Sequence, residues 1–246
     1  MQRLKLIIAY DGAPFAGWQS QASGNGIQDH LERAFKRIQG AAARVHGAGR
    51  TDAGVHALAQ CAHVDLAHDR LPLPKWPAAL NAVLPPAIRV LQCRRVSPDF
   101  HARFSAKGKI YRYRIWSGPI LPPHEFGRAW HVIAPIDFKK MAAAANLFAG
   151  RHNFAAFTAN RGTKPLETRR TIHSIAVKRR AERITLEVEG EGFLYKMVRL
   201  MAGTLVQHAT GKISLDDFTK RLATGRASES RLVAPAAGLF LLRVRY

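Results

Sequence analysis

Leu4, Leu6, Ile8 and Tyr10 occupy every second position near the start of the chain, and Asp11-Gly12-Ala13-Pro14 interrupts them. Period two followed by breakers predicts a strand running into a loop. Ile27, Leu31, Ala34, Phe35 and Ile38 then recur at helical spacing up to Gly40, which predicts a helix with its apolar face in the core. Strand patterns return at Arg44–His46 and Leu58–Leu66, a helix flanked by prolines at Lys75–Val83, and a further strand at Ile88–Val96. The order is βαββαβ. A second series follows: a long strand from Phe104 to Trp116, a helix over Asp137–Phe148, strands at Ile172–Lys178 and Ile184–Glu189, and a helix over Gly192–His208. A short helix over Ser214–Leu222 leads to a terminal strand, Leu239–Arg245. These patterns predict an α+β fold of two halves that share a sheet without a visible sequence repeat. The join falls near Ser97–Arg103, giving residues 1–103 and 104–246, and the Pro-rich stretch Gly118–His124 is a loop placed to cover a site.

Composition narrows the class. The 246 residues are 47% hydrophobic, which suits a packed core, and no run approaches the ~18 apolar residues of a membrane span. The start is too short in apolar residues for a signal peptide, so a cytoplasmic location is expected, with no membrane partner. Cys61 and Cys93 lie in apolar surroundings without metal-ligand spacing and read as reduced core thiols. Against 17 acidic residues stand 38 Lys and Arg, a formal charge of +21. That excess points to a polyanion, with nucleic acid ahead of an anionic membrane or an acidic protein. Basic residues concentrate in Arg103–Arg114, Arg161–Arg183 and Arg243–Arg245, and Phe104, Tyr111 and Tyr113 are interleaved with the first group. Phosphate contacts beside base stacking fit that mixture.

The candidate chemistry sits in Gly47-Ala48-Gly49-Arg50-Thr51-Asp52-Ala53-Gly54, where three glycines surround an arginine and an aspartate. Such a loop turns sharply and exposes a short side chain, although an aspartate in a plain turn has the same look. A phosphate loop is excluded because no Gly-Lys-Ser/Thr follows, and a dinucleotide fingerprint because the glycines do not open a helix. His46, His56, His63 and His68 lie nearby, and His63-Val64-Asp65 resembles half a metal site. Without further convergent ligands they read as structural histidines, and no metal is implied. Trp18 is compatible with the core or with an RNA-facing position.

Gly49 to Ala57, GRTDAGVHA, closely resembles the signature loop of the TruA-type tRNA pseudouridine synthases. The resemblance runs along nearly the whole chain, through Tyr10-Asp11-Gly12, Phe15-Ala16-Gly17-Trp18-Gln19, Leu80-Asn81 with Leu84-Pro85, and Phe100 to Ala106. It continues through Lys109 to Tyr113, Phe193-Leu194, Met197-Val198-Arg199, Ala234-Pro235 and Gly238-Leu239. It implies two ferredoxin/RRM-like halves sharing a mixed, mainly antiparallel sheet, with an active-site cleft between them. It implies an isomerase that converts uridine to pseudouridine in the anticodon stem-loop of tRNA, at positions 38, 39 and 40, as a homodimer without cofactor. Asp52 is then the catalytic residue, Arg199 its partner, Tyr111 the residue that stacks near the target base, and Leu239 part of the base pocket. Arg50, Arg103 and Lys109 join the substrate-binding set.

Physical chemistry makes these roles reasonable. A guanidinium keeps a carboxylate ionised and aimed in a water-poor pocket. An unstacked base needs an aromatic surface. On residue pattern alone, Arg199 reads as a solvated helix arginine, Tyr111 as strand packing and Leu239 as core. Some positions depart from the family pattern: Ala59, Cys61, Asn153, His208-Ala209 and Ser230 to Val233. These bear on loop geometry and RNA contacts more than on the reacting set. A non-catalytic RNA-binding protein would show similar basic patches, yet a carboxylate beside a polyanion costs affinity unless it reacts. A base-releasing nucleosidase would bring a second acidic group for water, which none of the signature segments offers.

Overall fold

In the computed structural model, residues 2–67, 70–159, 167–225 and 231–246 are described. The chain forms two compact units, Met1–Lys107 with Phe240–Tyr246, and Gly108–Leu239. The last strand thus returns to the first unit.

The first unit is built from β1 (Gln2–Tyr10), α1 (Ile27–Gln39), β2 (Val45–Gly47), β3 (His56–Leu66), α2 (Trp76–Val83) and β4 (Ile88–Val96). β1 lies between β4 and β3 and is antiparallel to both. This is the βαββαβ order that the period-two and helical patterns predict. The other edge of β3 holds β2 antiparallel at one end, with His46 opposite His63. At the other end of that edge β10 (Leu239–Arg245) runs parallel to it, with Phe240 opposite His56. Leu4, Leu6 and Ile8 on β1, Ile27, Leu31 and Phe35 on α1, and Trp76 and Leu80 on α2 are fully buried. Phe35 and Trp76 pack at 5.5 Å between ring centroids. α1 starts where Asp29 accepts the Gly26 N–H at 2.9 Å, and it ends at Gly40 in the left-handed conformation.

The second unit is built on antiparallel strands in the order β5 (Gly108–Trp116), β9 (Arg183–Gly190), β8 (Arg169–Arg180) and β7 (Gly150–Asn153). The two-residue β6 (Trp130–His131) adds to β5 in parallel. α3 (Phe138–Ala145), α4 (Met197–Ala209) and α5 (Leu215–Thr224) complete it. Ile184, Leu186, Val188, Phe148, Phe154, Met201 and Phe218 form the core.

Some boundaries moved. The strand expected from Phe104 begins only at Gly108, because residues 101–105 close on themselves through the Ser105 N–H to His101 O bond at 2.9 Å. The helix expected from Gly192 begins at Met197, after Lys196 takes a left-handed conformation at φ 58°. The helix over Asp137–Phe148 keeps Asp137 as its cap and tightens into a 3-10 turn at Asn146–Phe148. β6 and β7 are too short to leave a period-two signature. Cys61 is buried and Cys93 half-buried, both as free thiols. His68, Ser230 and the 161–166 part of the basic stretch lie outside the described residues.

Candidate active site

The Asp52 loop runs from β2 to β3, and its shape is imposed by two earlier glycines. A Cβ on Gly12 would stand 2.0 Å from the Val55 carbonyl oxygen. One on Gly17, whose φ is +93°, would stand 2.6 Å from the Thr51 oxygen. Only glycine lets these backbones lie that close. The Trp18 N–H donates to Thr51 O at 3.0 Å, while the Trp18 ring, 2% exposed, occupies the space a Cβ on Gly47 would take. Trp18 is therefore a core residue that shapes the loop.

Inside the loop, the Val55 N–H returns to Asp52 O at 3.1 Å and Gly54 takes a φ of +77°. That is a tight turn needing glycine near its end. Thr51 is buried, and its Oγ1 lies 2.8 Å from the Tyr10 hydroxyl, a bond closed within the unit's interior. The Gln60 side-chain amide donates to Gly49 O at 3.0 Å. His56 is buried, accepts the Gly12 N–H on Nδ1 at 3.1 Å and stacks on Phe240 at 4.6 Å. Thus three segments far apart in sequence hold the loop, leaving Asp52 half-buried and Arg50 exposed at its turn.

In the second unit, Tyr111 lies on β5 opposite Val188, buried, with Phe193 edge-on at 5.0 Å. Lys109 is two positions earlier on the same strand face and half-buried. α4 is apolar nearly all round, and Arg199 and His208 alone among its thirteen residues are not buried. Arg199 is thus a half-buried arginine on an otherwise largely buried helix, not a member of an exposed polar face. Its Nε donates to Ala234 O at 2.7 Å, and the Ala234 N–H returns to Arg199 O at 3.2 Å. Leu232 can lie against α4 because Gly203 has no Cβ, which would meet Leu232 O at 1.9 Å. Tyr113 donates to Pro235 O at 2.7 Å, and burial holds its hydroxyl well above the ordinary phenol range. Leu239 follows after the 3-10 turn Ala236–Gly238 and is buried. One unit therefore places Tyr111, Lys109, Arg199 and Leu239, and the other Asp52, Arg50 and Arg103. Sequence reasoning quoted Thr51, Phe193, Tyr10, Gly12, Gly17 and Ala234 within motifs and gave none of them an individual task. Their signal was present only as the short motifs around Asp11, Gly17, Asp52, Phe193 and Pro235.

Among the described residues, no group of three His, Cys, Asp or Glu is placed to hold a metal, and no helix is long and apolar enough to cross a membrane. His63 and Asp65 turn to separate partners, the Ala102 N–H at 3.1 Å and the Arg3 guanidinium at 2.7 Å.

Comparison with known proteins agrees with the motifs. A family model described as tRNA pseudouridine synthase matches residues 6–105 and 144–246. A protein named tRNA pseudouridine synthase A from Akkermansia muciniphila is 47% identical over all of this chain and 96% of its own length. Proteins of the same name from Solidesulfovibrio magneticus and Acetivibrio thermocellus are 44% and 39% identical, again over the whole chain and over 92% and 100% of theirs. Among solved structures, a chain of a Cbf5-Nop10-Gar1 complex is similar at a TM-score of 0.40 and 12% identity, over 82% of this chain and 44% of that one. That likeness is too distant to add to the assignment. With the matched segments spanning the Asp52 loop and the Arg199 helix, the chain belongs to the tRNA pseudouridine synthase family.

Proposed function

We propose that this protein converts uridine to pseudouridine in the anticodon arm of tRNA, with Asp52 as its catalytic carboxylate. The observation that carries the reading is the cradle around Asp52. Gly12, Gly17, Trp18, Tyr10 and Gln60 all constrain one short loop, so a single acidic side chain is presented with little freedom. A preorganised group of this kind suits catalysis and is unnecessary for binding a polyanion.

The reaction is an isomerisation. The bond from ribose C1′ to uracil N1 breaks, the base stays bound and turns, and its C5 bonds to C1′. The C5 proton is lost and N1 gains one, so atoms balance without water. One carboxylate suffices, either attacking C1′ or taking the 2′ proton. Arg199 aims and stabilises that carboxylate, Tyr111 stacks on the turning uracil, and Leu239 walls the pocket. Arg50, Arg103 and Lys109 contact phosphates, which position the RNA without reading its sequence. The protein acts in the cytoplasm as a homodimer, by family resemblance. Since C5 loses its hydrogen, incubating the protein with tRNA transcripts tritiated at uracil C5 releases tritium in step with conversion. Mapping should place pseudouridine in the anticodon arm. Absence of release from every tRNA transcript refutes the reading.

A further inference from the structure

Phe104 is 77% exposed, unusual for a phenylalanine, and it sits at the tip of the turn that replaced the expected strand. The turn is not loose. The His101 N–H donates to Ser105 Oγ at 3.0 Å, and the Ser105 N–H returns to His101 O at 2.9 Å. His101 Nδ1 accepts the N–H groups of Arg103 and Phe104 at 3.1 and 3.3 Å, which fixes its tautomer. His63 Nδ1 accepts the Ala102 N–H at 3.1 Å, and the Tyr246 hydroxyl donates to Ala102 O at 2.8 Å. His101 packs on His63 at 4.6 Å and on the Phe104 ring at 4.4 Å, and His46 stacks on His63 at 4.9 Å. The Arg103 guanidinium lies 5.6 Å from the Phe104 ring and is itself exposed.

The histidine stack belongs to the hairpin that carries Asp52. His46 and His63 face each other across β2 and β3, while His56, at the Asp52 end of β3, is seven residues along the strand. At 3.3 Å per residue, the turn is anchored on the order of 20 Å from the Asp52 end. A rigid, exposed aromatic ring with a cation beside it matches an unpaired base and its adjacent phosphate.

Building on the reading of this chain as a tRNA-modifying enzyme, we propose that Phe104 and Arg103 form a second RNA contact, remote from the target uridine. Phe104 stacks on an unpaired base and Arg103 holds the neighbouring phosphate. Because both contacts are made before and during reaction, they act on binding and leave the chemical step unchanged.

The test uses the full-length protein, tritiated tRNA transcripts and direct titration of the same RNA. Phe104→Ala should raise both Kd and KM by about fivefold to a hundredfold, with kcat within about twofold and an unchanged melting curve. Phe104→Trp should recover the wild-type Kd to within about threefold. Arg103→Ala should lower the slope of log Kd against log salt by about one, whereas Phe104→Ala leaves it unchanged. Phe104→Ala with wild-type Kd overturns the proposal, as does an unchanged KM with a fallen kcat. A changed sedimenting mass with unaltered RNA affinity would assign the ring to a subunit contact and overturn it equally. Failure of the broader reading looks different: wild type releases no tritium, yet the titrations still decide whether Phe104 binds RNA.

Discussion

Replacing Tyr10 by Phe removes one oxygen from the interior and probes the cradle of the Asp52 loop. Tyr10 and Thr51 are 4% and 7% exposed, and their hydroxyls lie 2.8 Å apart. Taking away one partner leaves the Thr51 hydroxyl buried without its bond, at a cost of about 1–2 kcal/mol. For a chain of this size, the loss lowers the melting temperature by about 2–8 °C. In the double variant neither hydroxyl remains to be orphaned, and its destabilisation should fall short of the sum of the singles by about 1 kcal/mol. The same bond holds the turn that presents Asp52, so kcat for tritium release should drop about tenfold in either single variant while KM changes little. Thermal melts and steady-state kinetics of the four proteins supply the numbers. If Tyr10→Phe melts within about 1 °C of wild type and keeps its kcat, the loop is not held as described.

Other expectations follow from neighbouring features. Gly12→Ala places a Cβ against the Val55 carbonyl, a backbone atom that cannot swing aside, and should cost about 1–3 kcal/mol and most of the activity; retention of both would contradict the cradle. Arg199→Lys loses the planar fork whose Nε is anchored on Ala234 O, so kcat should fall about a hundredfold, whereas a salt-dependent rise in Kd alone would reassign Arg199 to phosphate. Burial, with the positive charges of His101, His46 and Arg3, holds the His63 pKa down at about 4 from 6.5 despite Asp65. Folded protein then binds fewer protons than unfolded between those values, so the contribution is complete above pH 6.5 and is lost as pH falls toward 4. The full shift corresponds to ~3 kcal/mol, which solvent near exposed His46 reduces to about 1–2. Melting curves between pH about 7.5 and 5 should show this loss, and His63→Gln should flatten it; a wild-type curve already flat in that range rules it out.

Much of the fold was legible because the patterns that create it are local. The alternation of Leu4 to Tyr10 and the helical face of Ile27 to Phe35 need only their neighbours, and both elements formed where expected. Phe104 defeated the pattern, since an aromatic between basic residues reads as strand although His101 Nδ1 draws the backbone into a turn. No window of sequence shows a bond from an imidazole to an amide three residues on. Similarly, the tasks of Gly12, Gly17 and Gly47 depend on what stands opposite, Val55, Thr51 and Trp18, each brought there by the sheet. Arg199 was ambiguous for a related reason. One arginine among Met, Val and Leu reads as a surface residue until its helix proves to be largely buried.

Asp52→Asn tests the central claim most directly. The substitution keeps the shape of the side chain and removes its charge and basicity. Under single turnover, with enzyme in excess over tritiated tRNA and binding measured in parallel, wild type should release tritium in proportion to the pseudouridine formed. Asp52→Asn should bind the same tRNA at least as tightly, having lost a negative charge beside the phosphates, and release none. Tritium release by Asp52→Asn at a rate near wild type would contradict the assignment of this carboxylate.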